Sequence, residues 1–380
     1  MNSKQIIIIL IALLVIANAV FFIPKLTGNV TSEKEAIKLG VTIPLTGDLA
    51  NFGAGEKDAI EIAVDEINSN GGINGRKIEL IIEDTKCDAK EGVSAANKLI
   101  NVDKVPVIVG EICSGPTLAM APLAEQSKTI LFATAASSPK ITNAGDYVFR
   151  DYLSDAYQGR VGADYTYDEL GKRKAGILFM QIDYGIGVKD AFIKRFKELG
   201  GEIVSEESFQ QNAKDLRTQL AKIKQSDPDV VYFVGYNQEA IIFLQQFENL
   251  GINAQIVSTE TFDDPSILQK VGTAGEGAIY TAQYSPLSED FKAAMKSKTG
   301  SDQVLIGSPN VYDAIKIIAD AMKKCENPED TTCIKDNLYK VKDYPGVSGT
   351  ISFDSNGDRE SGSYNIKTYK NGKIEVLKLV

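Results

Sequence analysis

The 380-residue chain carries 41 basic and 51 acidic side chains, a net charge of −10, with 43% hydrophobic and 24% charged residues. That balance describes a globular protein long enough for two or three domains, and it argues against nucleic acid as a partner. Histidine is absent, which removes Ser-His-Asp and Cys-His catalysis and every histidine-ligated metal site.

Ile6 to Ile23 is apolar except for Asn18 and follows a short start with Lys4. The run stands at the lower limit for a bilayer span. It equally suits the apolar core of a secretory signal, with Ala17-Asn18-Ala19 as an A-x-A cleavage site. Residues 1–26 are therefore read as a signal peptide or membrane anchor, and either places the protein outside the cytoplasm, at the cell surface or in the periplasm. No cysteine follows the run, so lipoprotein attachment is not supported. Residues 27–36 read as a linker and include the sequon Asn29-Val30-Thr31.

From Lys38 short apolar runs alternate with longer amphipathic ones. KLGVTIPL reads as a strand, and Ala54 to Asn70 as a helix with Ile60, Ala63, Val64 and Ile67 on one face. GGING turns into strand KIELIIED, and Asp88 is a candidate N-cap for a helix running to about Asn101. VPVIVG, a helix near Pro116 to Gln126, and TILFAT follow. A second series has helices at Gln158–Leu170, Val188–Leu199, Asp215–Lys224 and Gln238–Leu250. They are interleaved with the runs AGILFMQ, EIVSEESF, DVVYFVG and QIVST.

This repetition predicts an α/β protein with parallel sheets and helices on both faces. A single sheet of so many strands is disfavoured, so two doubly wound lobes are expected, with a break near Arg150 to Ser154. From Ala278 onward a strand (AIYTAQY), two helices and a hairpin-like tail remain. That tail cannot stand alone and is expected to cross back and complete both lobes. The expected division is 37–152 plus 284–345 for lobe 1 and 153–283 plus 346–380 for lobe 2. No internal sequence repeat is visible.

Ser114, Ala135-Ala136-Ser137, Tyr236 and Glu260 each lie just beyond one of the apolar runs. In open α/β sheets that edge binds ligands. One carboxylate with several hydroxyls and free backbone groups suits a small zwitterion such as an α-amino acid. Ser114 precedes Gly115-Pro116, where a helix should start; its hydroxyl serves either as an N-cap or as an anion ligand. Asp263 and Asp264 are expected on a loop surface. Asp354 to Asp358 has the look of a calcium loop but lacks the bidentate Glu, because position 365 is Asn, so it reads as a hairpin turn.

Four cysteines suit an oxidising compartment, and three pairings are possible. Cys325 and Cys333 bracket a short polar loop and are expected to pair. Cys87 and Cys113 both follow strand-like runs, so neighbouring strand ends would bring them together; four buried free thiols are the alternative. No C-x-x-C spacing supports zinc.

The segments LTGDLANFG, GGINGRKIELIIEDTKCD, GEICSGPT and ILFATAASSPKIT, then the Tyr236 and Glu260 stretches, come in an order that resembles the leucine/isoleucine/valine-binding proteins of ABC transporters. The resemblance runs from about Lys38 to the C-terminus. It implies the type I periplasmic-binding fold: two α/β lobes joined by a three-crossing hinge, with the ligand between them. It also implies a Cys87–Cys113 disulfide. Ser114 and Ser137 would hold a carboxylate, and the Ala135 carbonyl would accept from an ammonium; Ser137 stands where the family usually has threonine. Glu260 would hold the ammonium. Tyr236 and Tyr184 would close the cleft, and Phe52 would line the side-chain pocket.

The function implied is an extracytoplasmic substrate-binding protein that captures an amino acid, branched-chain by resemblance, and delivers it to an ABC permease. It would be a monomer and no enzyme, with no cofactor and no metal. Two alternatives belong to other classes. One is a ligand-sensing receptor domain for another small amino acid or amide. The other is an exported carboxylate-dependent hydrolase.

Overall fold

The apolar runs after position 36 alternate with amphipathic ones because the central strands are covered on both faces and the helices on one. The structure, a computed structural model, describes Asn2 and residues 35–380. The apolar stretch at 6–23, its two readings and residues 27–34 lie outside the described residues.

The first sheet contains β1 (Ile37–Ile43), β2 (Ile78–Asp84), β3 (Val107–Val109), β4 (Ile130–Ala133) and β5 (Val148–Arg150) in the order β2-β1-β3-β4-β5, all parallel. The second contains β6 (Lys174–Met180), β7 (Glu202–Phe209), β8 (Val230–Val234), β9 (Gln255–Ser258) and β10 (Ile279–Gln283). Its parallel part is ordered β7-β6-β8-β9-β10. The same topology therefore occurs twice, although no sequence repeat announces it. In each sheet the strand order reverses between the first and third strands, and crevices open at such switch points.

Between these strands run α1 (Ala50–Ser69), α2 (Ala89–Asn97), α3 (Ser114–Ser127), α4 (Asp155–Asp164), α5 (Asp183–Glu198), α6 (Arg217–Gln225), α7 (Asn237–Asn249) and α8 (Pro265–Val271). The chain then returns to the first sheet. There α9 (Glu289–Thr299), α10 (Ser308–Lys323) and α11 (Thr331–Leu338) follow, and α10 packs on α1. A small hairpin, β11 (Tyr344–Gly346) with β12 (Gly349–Ile351), comes next. Finally β13 (Tyr364–Lys370) and β14 (Lys373–Leu379) add antiparallel to the second sheet. Asn371 and Gly372, both at positive φ, make the tight turn between them.

The chain thus passes between sheets three times: after β5, after β10 and before β13. These are the two α/β lobes and the three-crossing hinge. Ile351 and Phe353 pack into the core of the first sheet, so that core takes chain beyond residue 345, where the sequence reading placed its limit.

Several helices start earlier than the sequence pattern suggests. The structure begins α1 at Ala50 rather than Ala54, α4 at Asp155 rather than Gln158, and α5 at Asp183 rather than Val188. Glycines at these starts mimic loops, but they serve close approach. A Cβ on Gly53 would lie 1.9 Å from the Pro44 carbonyl oxygen, and one on Gly185 would lie 2.1 Å from that of Met180. Phe52 and Tyr184 consequently stand in the first turns of rigid helices. The short β5 and α8 left no sequence signal long enough to read.

Candidate functional site

Residues that follow the switch-point strands converge. Phe52 comes after β1, Ser114 after β3, Tyr184 after β6 and Tyr236 after β8. Ala135 and Ser137 follow β4, and Glu260 follows β9. All seven line one cavity of about 40 Å³, together with Leu49, Ile112, Thr261 and Ile306. The four added residues lie beside the seven in sequence or on the loop before α10; Leu49 and Ile112 fall within the segments LTGDLANFG and GEICSGPT, but nothing there singles them out.

One end of the cavity is built from donors. Ser114 is the first residue of α3, and Cys113 rather than Ser114 is the N-cap, so the N-cap reading of the serine does not hold. Its Oγ accepts from the N–H of Ser137 (3.3 Å) and of Ser138 (3.1 Å). A hydroxyl has two acceptor lone pairs and one hydrogen. With both lone pairs engaged, the hydrogen is left to donate, which is what an anion requires. The loop itself is held from behind. The Glu111 carbonyl accepts the N–H groups of Thr134, Ala135 and Ala136 at 3.4, 3.4 and 3.2 Å.

The other end is acidic. Glu260 is buried, accepts from Gln158 Nε2, and lies 3.4 Å from the Tyr184 hydroxyl. Burial raises its pKa, while the Gln158 and Tyr184 hydrogen bonds oppose the rise. Asp155, fully buried at the start of α4, stands behind the cavity. Its carboxylate oxygens make no hydrogen bond of good geometry among the described residues, and the Ser137 hydroxyl is the side-chain donor near enough to oppose its pKa rise. Burial first, then the Glu260 charge, pushes its pKa well above the usual carboxylate range. Asp155 and Gln158 escaped the sequence reading, since an acid opening a helix is ordinary.

The walls are aromatic and apolar. Tyr184 and Tyr236 stack with centroids 5.6 Å apart and planes 13° apart. Tyr184 also shares a 2.7 Å hydrogen bond with Thr259. The Tyr236 hydroxyl lies 3.7 Å from Cys87 Sγ. Cys87 is bonded to Cys113 and Cys325 to Cys333, with Cα separations of 5.5 and 6.0 Å. The strands before Cys87 and Cys113 are not neighbours, since β1 lies between them; their loops meet over its end.

Asp263 and Asp264 are not loop-surface residues. Asp264 is buried and accepts from Asn51 and Asn237, and Asp263 accepts from Lys367 and Tyr280. Asp354 accepts the N–H groups of Asn356 and Asp358, which makes the segment a tight turn.

Residues 36–373 match the periplasmic binding protein family. A Leu/Ile/Val-binding protein homolog of Brucella melitensis is 29% identical over 343 residues, 89% of this chain and 92% of that protein. The solved leucine-binding protein LivK of Thermotoga maritima is 29% identical and superposes with a TM-score of 0.85 over 91% of this chain and 99% of its own. LivJ of Streptococcus pneumoniae, solved with isoleucine, is 30% identical with a TM-score of 0.82 over the same shares. The chain belongs to the periplasmic binding protein family.

Proposed function

We propose that this protein is the extracytoplasmic substrate-binding component of an ABC importer, and that it captures a branched-chain α-amino acid between its lobes. The carrying observation is the polarity of the cavity: a free serine hydroxyl hydrogen at one end, and buried carboxylates without a neighbouring ammonium or guanidinium in hydrogen-bond contact at the other. The ligand carboxylate takes Ser114 and Ser137, and the Ala135 carbonyl, whose N–H is held by Glu111, is left to accept from the ammonium. Its ammonium takes Glu260, a charge-assisted contact of roughly 1.5–3 kcal/mol. Its aliphatic side chain lies among Phe52, Leu49, Ile112 and Ile306 and gains about 0.8 kcal/mol per buried CH₂.

Closure is the mechanism. Lobe 1, taken as 37–152 with 284 to about 359, offers the serine loops. Lobe 2, the rest, brings Tyr184, Tyr236 and Glu260. The ligand stabilises the closed form by binding both lobes at once, and that form docks on a membrane permease as a monomer. No covalent step is needed, and the protein is not an enzyme. The relatives named for Leu, Ile and Val, and the isoleucine complex of LivJ, support this ligand class.

Calorimetry of the purified protein with leucine, isoleucine and valine tests the reading. Saturable one-to-one binding is expected. Absence of heat with every α-amino acid would overturn it.

A further inference from the structure

A second cavity, of about 150 Å³, adjoins the first, and the two share Glu260 and Ile306 as walls. Its character is different. Tyr152, Gln283, Asn310 and Asn365 line it with Asp263 and Lys367. The Lys367 ammonium is already neutralised, donating to both Asp263 oxygens at 2.8 and 2.7 Å. Gln283 is anchored through Oε1, which accepts the Leu153 N–H at 3.0 Å. Its Nε2 is buried and has no partner among the described residues. A buried donor left unmade is costly, so this amide is a place where an acceptor from outside the chain belongs.

We propose that this chamber is a second subsite for the end of a longer ligand side chain, and that Ile306 is the partition that closes it to branched aliphatic ligands and sets the length selected. The assignment rests on the amino-acid reading above. The chemical class follows from the walls. A carboxylate end would face Glu260 and Asp263, and like charges there are unfavourable. An ammonium end would meet the Gln283 donor and the Lys367 ammonium. A neutral carboxamide satisfies both kinds of wall: its oxygen accepts from Gln283 Nε2, and its NH₂ donates to the acids. The class is therefore an α-amino acid with a carboxamide side chain, with glutamine as the probe.

The test is calorimetry of the full-length protein with isoleucine and glutamine. Truncation by Ile306→Ala joins the two spaces. It should raise the affinity for glutamine relative to isoleucine by roughly tenfold or more. Adding Gln283→Glu keeps the acceptor for Leu153 but removes the donor, and it should cancel the gain. Ile306→Val, which disturbs packing less, should move the ratio in the same direction by a smaller step. If the folded variants bind isoleucine and the ratio stays put, the subsite is overturned and the amino-acid reading stands. If the unaltered protein binds no α-amino acid, both fall.

Discussion

Asn51, in the first turn of α1, donates from Nδ2 to Asp264 Oδ2 at 2.9 Å, across the gap between the two lobes. Asp264 is a prepared acceptor. Asn237 Nδ2 reaches the same oxygen at 2.5 Å, and the Ser266 N–H holds Oδ1 at 2.8 Å. Besides the Tyr236 hydroxyl against Cys87 in the cavity wall, Gln238 with Asp48 and Lys140 with Asp183 also cross between the lobes. The lobes are therefore latched by polar side chains outside the ligand cavity. Asn51→Ala removes one latch and leaves Asp264 its own-lobe partners. A net hydrogen bond is worth roughly 0.5–1.5 kcal/mol, so affinity for isoleucine should fall about three- to tenfold. The radius of gyration of the ligand-free protein in solution scattering should increase. An unchanged radius and unchanged affinity would dismiss the latch.

Ser114 and Ser137 are expected to differ as mutants, although both carry hydroxyls into the cavity. Removing the Ser114 hydroxyl strips the partner from two buried N–H groups as well as from the ligand. Leaving such groups unsatisfied costs about 1–3 kcal/mol each. Ser114→Ala should therefore lower the melting temperature and weaken binding by roughly tenfold or more. Ser137→Ala, which takes one contact from the buried Asp155, should weaken binding and lower the melting temperature by less. Differential scanning calorimetry with titration of both variants separates the two; equal melting losses would show that the Ser114 bonds carry no special weight.

Ser114, Ala135, Ser137, Tyr236 and Glu260 were legible because each follows an apolar run, and a parallel sheet puts such positions at one edge whatever the loops do; Phe52 and Tyr184 were named only through the family resemblance. The helix starts were less legible. Glycines needed for close packing at Gly53 and Gly185 look like loop glycines until the third dimension shows Pro44 and Met180 against them. Asp155 and Gln158 stayed hidden for another reason. Their meaning depends on Glu260, more than a hundred residues away, and nothing local distinguishes a buried helix-opening acid from a solvated one. The doubled β2-β1-β3-β4-β5 order was also beyond the sequence, since topology repeats here without residues repeating.

Binding should weaken in acid, and the sign follows from Glu260. Its pKa is raised by burial, with Gln158 and Tyr184 opposing the rise and the Asp263 charge adding to it; Asp155 faces the same carboxylate. The ligand ammonium needs the ionised form. As pH falls through that raised pKa, the empty protein gains a proton that the ligand must displace. The dissociation constant should then rise, by up to about tenfold per pH unit for one proton. Titrations in buffers of different ionisation enthalpy should register proton release on the acid side. Glu260→Gln should bind isoleucine roughly 10- to 150-fold more weakly, with a flatter pH profile. A variant that keeps full affinity would send the ammonium elsewhere.

Stability should follow pH in the opposite sense, through two carboxyls that face away from solvent. Glu56 on α1 is fully buried, accepts from Thr134 alone among the described residues, and is pushed up to about 8 by burial, with the Glu111 charge contributing. Glu111, after β3, is pushed up to about 7 by burial, against hydrogen bonds that include the Cys113 and Ile112 N–H groups. The Asp84 charge adds to the rise at Glu111. In the unfolded chain both return to the usual value of 4.5. Between that value and the raised ones the folded state holds more protons, so unfolding releases them and folding free energy is lost as pH rises. The slope is about 1.4 kcal/mol per pH unit per group. It begins near 4.5 for both, and levels at about 7 for Glu111 and about 8 for Glu56. The melting temperature should therefore decline from pH 5 to 8. Glu56→Gln, neutral throughout and able to keep the Thr134 contact through its carbonyl, should make the decline above pH 7 shallower by up to about 1.4 kcal/mol per pH unit, while Asp151 and Asp155, also raised by burial, keep contributing to it. A Glu56→Gln protein whose melting temperature falls as steeply as the parent's across that interval would mean that Glu56 is ionised in the folded state.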